Sequence, residues 1–282
     1  MNPPQPRVLP LTLRLTIRHS SILMRQEDRL RHAIAIVEAA GAVARHFFLQ
    51  RTQLAMHAKG PRDFVSEADL AVERVIRERL GLAFPGEAVM GEELGGELAS
   101  CCWLVDPIDG TANFLRGSPL WGISLGLVVE GEPVVGAIHY PILGMSIGAA
   151  LGHGLVCNGQ PMRRDVPFPE VRAVAMGENA HWDASEIARL GQTLRQQDWS
   201  VASYRCATIG LGFAALGYVD GYLERHTSLW DIAAGIVLCR EAGLETRVDG
   251  VARPAGIDVM VGTQALVDVV KPLWRASARH DR

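Results

Sequence analysis

The sequence predicts a layered α+β fold of packed helices and sheets. Three observations predict it: two helix-periodic segments come first, a run of short, closely spaced strands follows, and strands then alternate with helices. Over residues 27–51, Leu30, Ala33, Ile34, Val37, Ala40, Ala44 and Phe47 recur at helical spacing. Ser66-Glu-Ala-Asp69 reads as a capping box ahead of Val72, Val75, Ile76 and Leu80, a second helix punctuated by Gly81 and Pro85. A loop with Gly91-Glu92-Glu93 leads to Trp103-Leu-Val105, the end of a buried strand. Beyond it, Pro107 fixes its own φ and Gly110 frees the backbone, so residues 106–111 form a strand-end loop carrying two acids.

After Pro119, runs at 123–129, 134–140 and 145–150 are divided by Gly131-Glu-Pro133, by residues 141–144 and by Gly152-His-Gly154. Such tight connections imply an antiparallel meander. Strands are then expected near 173–176, 201, 219–223 and 258–261, and helices at 184–197, 207–216, 232–242 and 266–278.

With 282 residues, 48% hydrophobic and 21% charged, the chain has the composition of an ordinary globular protein. It has no run of roughly 18 uninterrupted apolar residues, so no membrane partner is expected. A formal net charge of -3 gives no electrostatic footprint for nucleic acid. Five cysteines without a CxxC point to a reducing, cytoplasmic setting, and the scattered histidines contain no HxxxH zinc signature.

The first 26 residues hold four Arg and no Asp or Glu, and Leu11, Leu13, Leu15 and Ile17 alternate with polar residues. They read as a short strand, as an acid-poor targeting segment, or as an N-terminal extension, disordered or upstream of a start at Met24; the extension over residues 1–26 is the expectation adopted.

Five further acids join Asp106 and Asp109: Asp63 and Asp69, then Glu92 with Glu93, then Asp231 in Leu-Trp-Asp-Ile. Singly, each has a plain explanation as a cap residue, a solvated loop acid or a helix-dipole partner. Together, clustered carboxylates repel one another unless a cation compensates them, and oxygen-only ligation suits Mg²⁺, Ca²⁺ or Mn²⁺. Mg²⁺ leaves positions for a substrate phosphate, and a helical turn opening at Thr111 would offer N–H groups to it. Phosphate monoesters are very slow to hydrolyse unaided, which calls for the strength of a two-metal site.

The motif has a partial likeness to the haloacid-dehalogenase phosphatases, which carry Asp-x-Asp-Gly-Thr. Pro107 stands where their nucleophilic aspartate belongs, so a water nucleophile is favoured over an aspartyl-phosphate.

The chain resembles the inositol monophosphatase family. The likeness rests on Asp63-Phe-Val-Ser-Glu-Ala-Asp69, Gly91-Glu-Glu93, Trp103-Leu-Val-Asp-Pro-Ile-Asp-Gly-Thr-Ala-Asn-Phe114, Trp230-Asp-Ile-Ala-Ala-Gly235 and Glu241-Ala-Gly243, in that order from about residue 27 onward. It implies an α-β-α-β-α layered sandwich of the inositol monophosphatase and fructose-1,6-bisphosphatase type. On that pattern residues 27–282 are one catalytic domain, with halves at about 27–165 and 166–282. The resemblance further implies a lithium-inhibited homodimer with two or three Mg²⁺ ions per site, or Mn²⁺ in their place.

By the same resemblance Glu92, Asp106, Asp109, Asp231 and the Ile108 carbonyl bind the metals. Asp69 and Thr111 orient water, Gly110 and Thr111 N–H groups hold phosphate, Lys59 lies nearby, and Glu224 contacts substrate hydroxyls. The departures are on the substrate side. Arg205-Cys206 replaces the usual Gly-Ser or Gly-Thr, and Arg205 either recognises a second anionic group or ring, or faces solvent. His226 either touches substrate or sits in a solvated loop.

Inositol monophosphate is the leading substrate. Histidinol phosphate, 3'-phosphoadenosine 5'-phosphate and fructose 1,6-bisphosphate are the alternatives, and a regulatory protein of the transcription machinery is the rival class.

Overall fold

The helical spacing at the start of the chain becomes α1 (Leu11–Leu49), which begins well before residue 27. The computed structural model describes residues 11–54, 56–60, 63–250 and 253–274, with side chains from residue 26 onward except at 55–65. The alternation of Leu11, Leu13, Leu15 and Ile17 does not make a strand: with no proline between residues 11 and 49, the backbone stays helical throughout. Residues 1–10 of the expected extension lie outside the described residues.

Ala33, Val37, Ala40 and Ala44 form a fully buried stripe on α1, packed with Val72, Ile76 and Leu80 of α2 (Glu67–Ala83). The Gln26–Leu49 part of α1 is long and apolar enough to cross a membrane by composition, but its apolar stripe is buried in the core. A 3-10 turn at Arg51–Gln53 and a hairpin of β1 (Met56–Gly60) and β2 (Asp63–Ser66) join the two helices, a pairing the sequence did not announce.

The larger sheet follows chain order: β3 (Ala88–Gly91), β4 (Cys101–Asp109), β5 (Gly122–Val129), β6 (Glu132–Tyr140), β7 (Met145–Ala150), β8 (Leu155–Cys157) and β9 (Gln160–Met162). The expected meander is its centre, and only the β3–β4 pair is parallel. A short helix, α3 (Thr111–Arg116), turns the chain between β4 and β5.

The remainder alternates as expected through β10 (Ala173–Met176), α4 (Ala184–Gln196), β11 (Ser200–Ala202), α5 (Ala207–Leu216), β12 (Gly221–Ser228) and α6 (Leu229–Glu241); an unexpected strand, β13 (Glu245–Asp249), then comes before β14 (Ala255–Gly262) and α7 (Gln264–Val270). Its five strands are ordered β11-β10-β12-β14-β13. The last helix ends sooner than its apolar pattern suggests, since Pro272 follows it; residues beyond 274 lie outside the described residues.

Three buried clusters define five layers. One lies between α1/α2 and the larger sheet, a second surrounds α5 and α6 between the two sheets, and a third fills the space between the smaller sheet and α4/α7. On β4 the faces alternate, Trp103 and Val105 toward α1/α2, Cys102 and Leu104 toward α5/α6. Helix α6 lies directly on the larger sheet because Gly126 and Gly136 face it: a methyl at Gly136 would come within 2.3 Å of the Ala234 carbonyl oxygen.

Candidate active site

The two acids of the central motif share one side of β4 because the strand is irregular there. It does not stop at Val105; it continues through Pro107 to Asp109. Asp106 pairs with Ser124 and Asp109 with Gly122, so β4 carries one more residue than β5 over this interval. In a regular strand residues three apart point to opposite faces; the extra residue turns Asp109 to the side of Asp106. The Ile108 N–H donates to Asp106 Oδ1 at 3.0 Å and steadies the bulge.

Gly110 has φ +86°, a left-handed turn from which α3 starts, and Phe114 on α3 packs in an aromatic cluster with Trp121 (4.9 Å) and Phe48 (5.4 Å).

Two other elements complete the cluster. The Glu92 N–H donates to the Val105 carbonyl at 3.1 Å, laying the Gly91-Glu-Glu93 loop against β4. Asp231 occupies the first turn of α6, in a capping box with Ser228, and accepts from Thr227 Oγ1 (3.0 Å) and the Ser228 N–H (3.2 Å). Ser124 Oγ donates to the Trp230 carbonyl at 3.1 Å and fastens that turn to β5. As a result, carboxylate oxygens of Glu92, Asp106 and Asp231 lie within 4.8 Å of one another.

Asp69 stands beside them, its Oδ2 accepting from the Ser66 N–H (2.9 Å) and Oγ (2.6 Å). Its Oδ1 lies 3.4 Å from Thr111 Oγ1, which also reaches the Ile108 carbonyl at 3.1 Å.

The electrostatics of this cluster are those of carboxylates brought close together in a largely buried setting. Burial first, then the charges of Glu92, Asp109, Asp231 and Asp69, hold Asp106 well above the usual carboxylate range. Asp231 is raised in the same way, by burial and then by Asp109, Glu92 and Glu224. Burial also raises Asp109, against hydrogen bonds from the Thr208 N–H and the Thr208 and Cys206 side chains. Among the described residues no Lys, Arg or His pairs with Asp106, Asp109 or Asp231. An all-oxygen set of close carboxylates, Asp106 buried and Glu92 and Asp231 half-buried, fits a hard divalent cation.

Glu224 lies at the edge of this group, near enough that Asp109 raises its pKa, although burial is the larger cause. Tyr222 OH donates to its Oε2 (2.6 Å) and Asn179 Nδ2 to its Oε1 (3.1 Å). Cys206 joins the site directly: its Sγ lies 3.3 Å from Asp109 Oδ2. Arg205 does not reach the acids; it is exposed, has φ +56°, and forms no ion pair among the described residues. His226, at φ +57°, is half-buried and donates its N–H to Asp258 Oδ1 at 3.2 Å. The side chains of Lys59 and Asp63 lie outside the described residues.

Sequence reasoning missed several supports. Asn113 Nδ2 donates to the carbonyls of Leu120 and Tyr204, both at 2.7 Å, and so ties the motif to the Arg205-Cys206 loop. Thr208 holds Asp109, Asn179 and Tyr222 hold Glu224, and Glu73 holds the Glu92 loop. Only Glu73 left a local signal, its i,i+4 spacing from Asp69 on one helix.

Comparison with known proteins agrees with this geometry. Residues 25–267 match the model of the inositol monophosphatase family. An inositol-1-monophosphatase of Rhizobium meliloti (strain 1021) is 35% identical over 228 residues, 78% of this chain and 85% of that protein. A histidinol-phosphatase of Mycobacterium tuberculosis is 34% identical over 252 residues, 86% of this chain and 96% of that protein. Among solved structures, the extragenic suppressor protein suhB from Bartonella henselae aligns with a TM-score of 0.80 at 25% identity, over 88% of this chain and 99% of that one. The match spans both sheets and every acid of the cluster, and on it the chain belongs to the inositol monophosphatase family of phosphatases.

Proposed function

We propose that the protein hydrolyses a small phosphate monoester, inositol monophosphate first among them, by direct attack of water on phosphorus. The observation that carries this reading is the cluster of Glu92, Asp106 and Asp231, Asp106 buried and the other two half-buried, with Asp109 beside it and, among the described residues, no basic side chain paired to Asp106, Asp109 or Asp231. Glu92, Asp106, Asp109, Asp231 and the Ile108 carbonyl would hold Mg²⁺, two or three ions, with Mn²⁺ suited to the same donors. Bound there, the cation supplies positive charge for the phosphoryl oxygens and makes water more acidic.

The chain's own groups do the rest. Ser66 engages Oδ2 of Asp69, so Oδ1, facing Thr111, is the atom that takes the proton of the attacking water. Thr111 Oγ orients that water, and the Gly110 and Thr111 N–H groups and Lys59 orient the phosphate. Glu224, with one oxygen on Tyr222 and the other on Asn179, accepts a substrate hydroxyl. Arg205, exposed in the loop that enters α5, is read as a contact to a second anionic group on the substrate.

The name of the Rhizobium meliloti relative supports inositol monophosphate. The histidinol-phosphatase relative, matched over 96% of its own length, supports histidinol phosphate as the second reading, because Glu224 would accept from an ammonium as readily as from a hydroxyl. We further read residues 27–282 as one catalytic domain that works as a cytoplasmic homodimer.

Phosphate release from inositol monophosphate, histidinol phosphate, 3'-phosphoadenosine 5'-phosphate and fructose 1,6-bisphosphate, with Mg²⁺ and with EDTA, tests the proposal. Mg²⁺-dependent release with inositol monophosphate ranked first is the expected result. Silence toward every ester at millimolar Mg²⁺ would defeat the enzyme reading, and an unchanged substrate ranking in Arg205→Gly would remove Arg205 from the site.

A further inference from the structure

Helix α2 carries two acids one turn apart, Asp69 and Glu73, and only the first is used by the chemistry above. Glu73 is fully buried. Its Oε2 accepts the Glu93 N–H at 2.9 Å, the Leu94 N–H lies 3.3 Å from both its oxygens, and Arg77 Nε donates to Oε1 at 2.7 Å. Arg77 then donates to the Val89 carbonyl at 3.3 Å and to the Gly95 carbonyl, closing the turn from its other end.

Glu92 therefore lies between two fixed points: its own N–H is held by Val105 on β4, and the next two N–H groups are held by Glu73. Gly91 fits the same arrangement. Its φ is not left-handed, and a Cβ added there would stand 2.1 Å from Glu73 Oε1, so the glycine makes room for this carboxylate.

We infer that Glu73 is a positioning residue that aims the Glu92 carboxylate into the cation cluster, so that one face of α2 fixes both the Asp69 end and the Glu92 end of the site. The inference rests on the cation reading of Glu92, Asp106 and Asp231. Groups that orient ligands without touching the metal typically change its affinity or the activity by about 10- to 100-fold when removed. Gln in place of Glu73 keeps the shape but presents an amide N–H₂ to three donors, so the turn loses an acceptor.

The test is a Mg²⁺ titration of wild type, Glu73→Gln and Gly91→Ala, followed both by the Mg²⁺-induced rise in melting temperature and by phosphate release. Both variants are expected to raise the half-saturating Mg²⁺ concentration by about 10- to 100-fold, while turnover recovers at saturating Mg²⁺. A purely structural role would lower the melting temperature in EDTA and leave that concentration unchanged, which would overturn the inference. Should Glu73→Gln fail to fold, Gly91→Ala carries the same readout. A wild type indifferent to Mg²⁺ in both measurements would instead defeat the cation reading on which the inference rests. In a Glu73→Ala background, adding Gly91→Ala is expected to weaken Mg²⁺ binding no further, because the methyl then has room; an additive loss would break the steric link.

Discussion

Two carboxylates, half-buried Glu87 beside β4 and buried Asp106 on it, show how differently this chain treats an acid withdrawn from water. Burial pushes Glu87 up, yet it accepts from Arg29 Nη1 at 2.7 Å and Nη2 at 2.5 Å and from Trp103 Nε1 at 2.8 Å, and these bonds bring its pKa below the usual range. Asp106, three residues after Trp103 on the same strand, has the Ile108 N–H at 3.0 Å as its internal donor and is held well above that range. The first acid is completed from within the chain and serves packing. The second sits among other carboxylates, and on the proposed function that difference marks where the cation would bind.

Substituting each acid should split the two apart most sharply. Asp106→Asn is expected to lower phosphate release at least about 10³-fold, several kcal/mol of barrier, while the melting temperature in EDTA stays level or rises because a repelling charge is gone. Near-normal rates in this variant would remove the cluster from the chemistry.

The next effect is in pH. Asp106 and Asp231 have folded-state values above their unfolded ones, so the stability they contribute is fully present below about pH 4 and is lost as pH rises through the raised values. Mg²⁺ should therefore raise the melting temperature at pH 7 to 8 and progressively less toward pH 5. A Mg²⁺ effect that grows on acidification would break the comparison.

Smaller still is Glu87→Gln, expected to leave turnover intact and lower the melting temperature by roughly 2–4 °C, about 1 kcal/mol for a partly exposed charged pair.

The smallest effect concerns His139, whose Nδ1 lies 2.9 Å from Ser146 Oγ, which in turn donates to Glu38 at 2.8 Å. Burial lowers its pKa, so its contribution is fully present above about pH 6.5 and lost as pH falls through the lowered value. The difference in melting temperature between wild type and His139→Gln, measured from pH 7.5 to 5, should shrink as pH falls.

The parts of this molecule that could be read in advance are those in which a local pattern and a tertiary role coincide. The stripe on α1, the capping box of α2 and the meander of β5 to β7 each satisfy a short-range rule and bury the residues that rule selects. Asp106 and Asp109 were readable because proline, glycine and carboxylates crowd one short motif. The hairpin of β1 and β2 escaped notice for lack of alternating apolar residues, as did β13, whose residues 245–249 are mostly polar. Asn113, Thr208, Asn179 and Tyr222 act through partners far away in sequence, and no local rule selects them. The bulge at Pro107 was anticipated only as a break, since a proline shows that pairing is disturbed but not that the strand resumes.

The bare backbone at Gly126 and Gly136 has a consequence for the order of assembly. Helix α6 reaches Asp106 with Asp231 by lying in the shallow seat that the paired β5 and β6 leave, so that meeting depends on the β5–β6 pairing. The hairpins of the meander are local in sequence, whereas the meeting of Asp106 with Asp231 closes a long loop and belongs to the slow part of folding. An unfinished chain thus holds its acids apart in water, and on the proposed function affinity for a cation would be a property that only the completed molecule acquires.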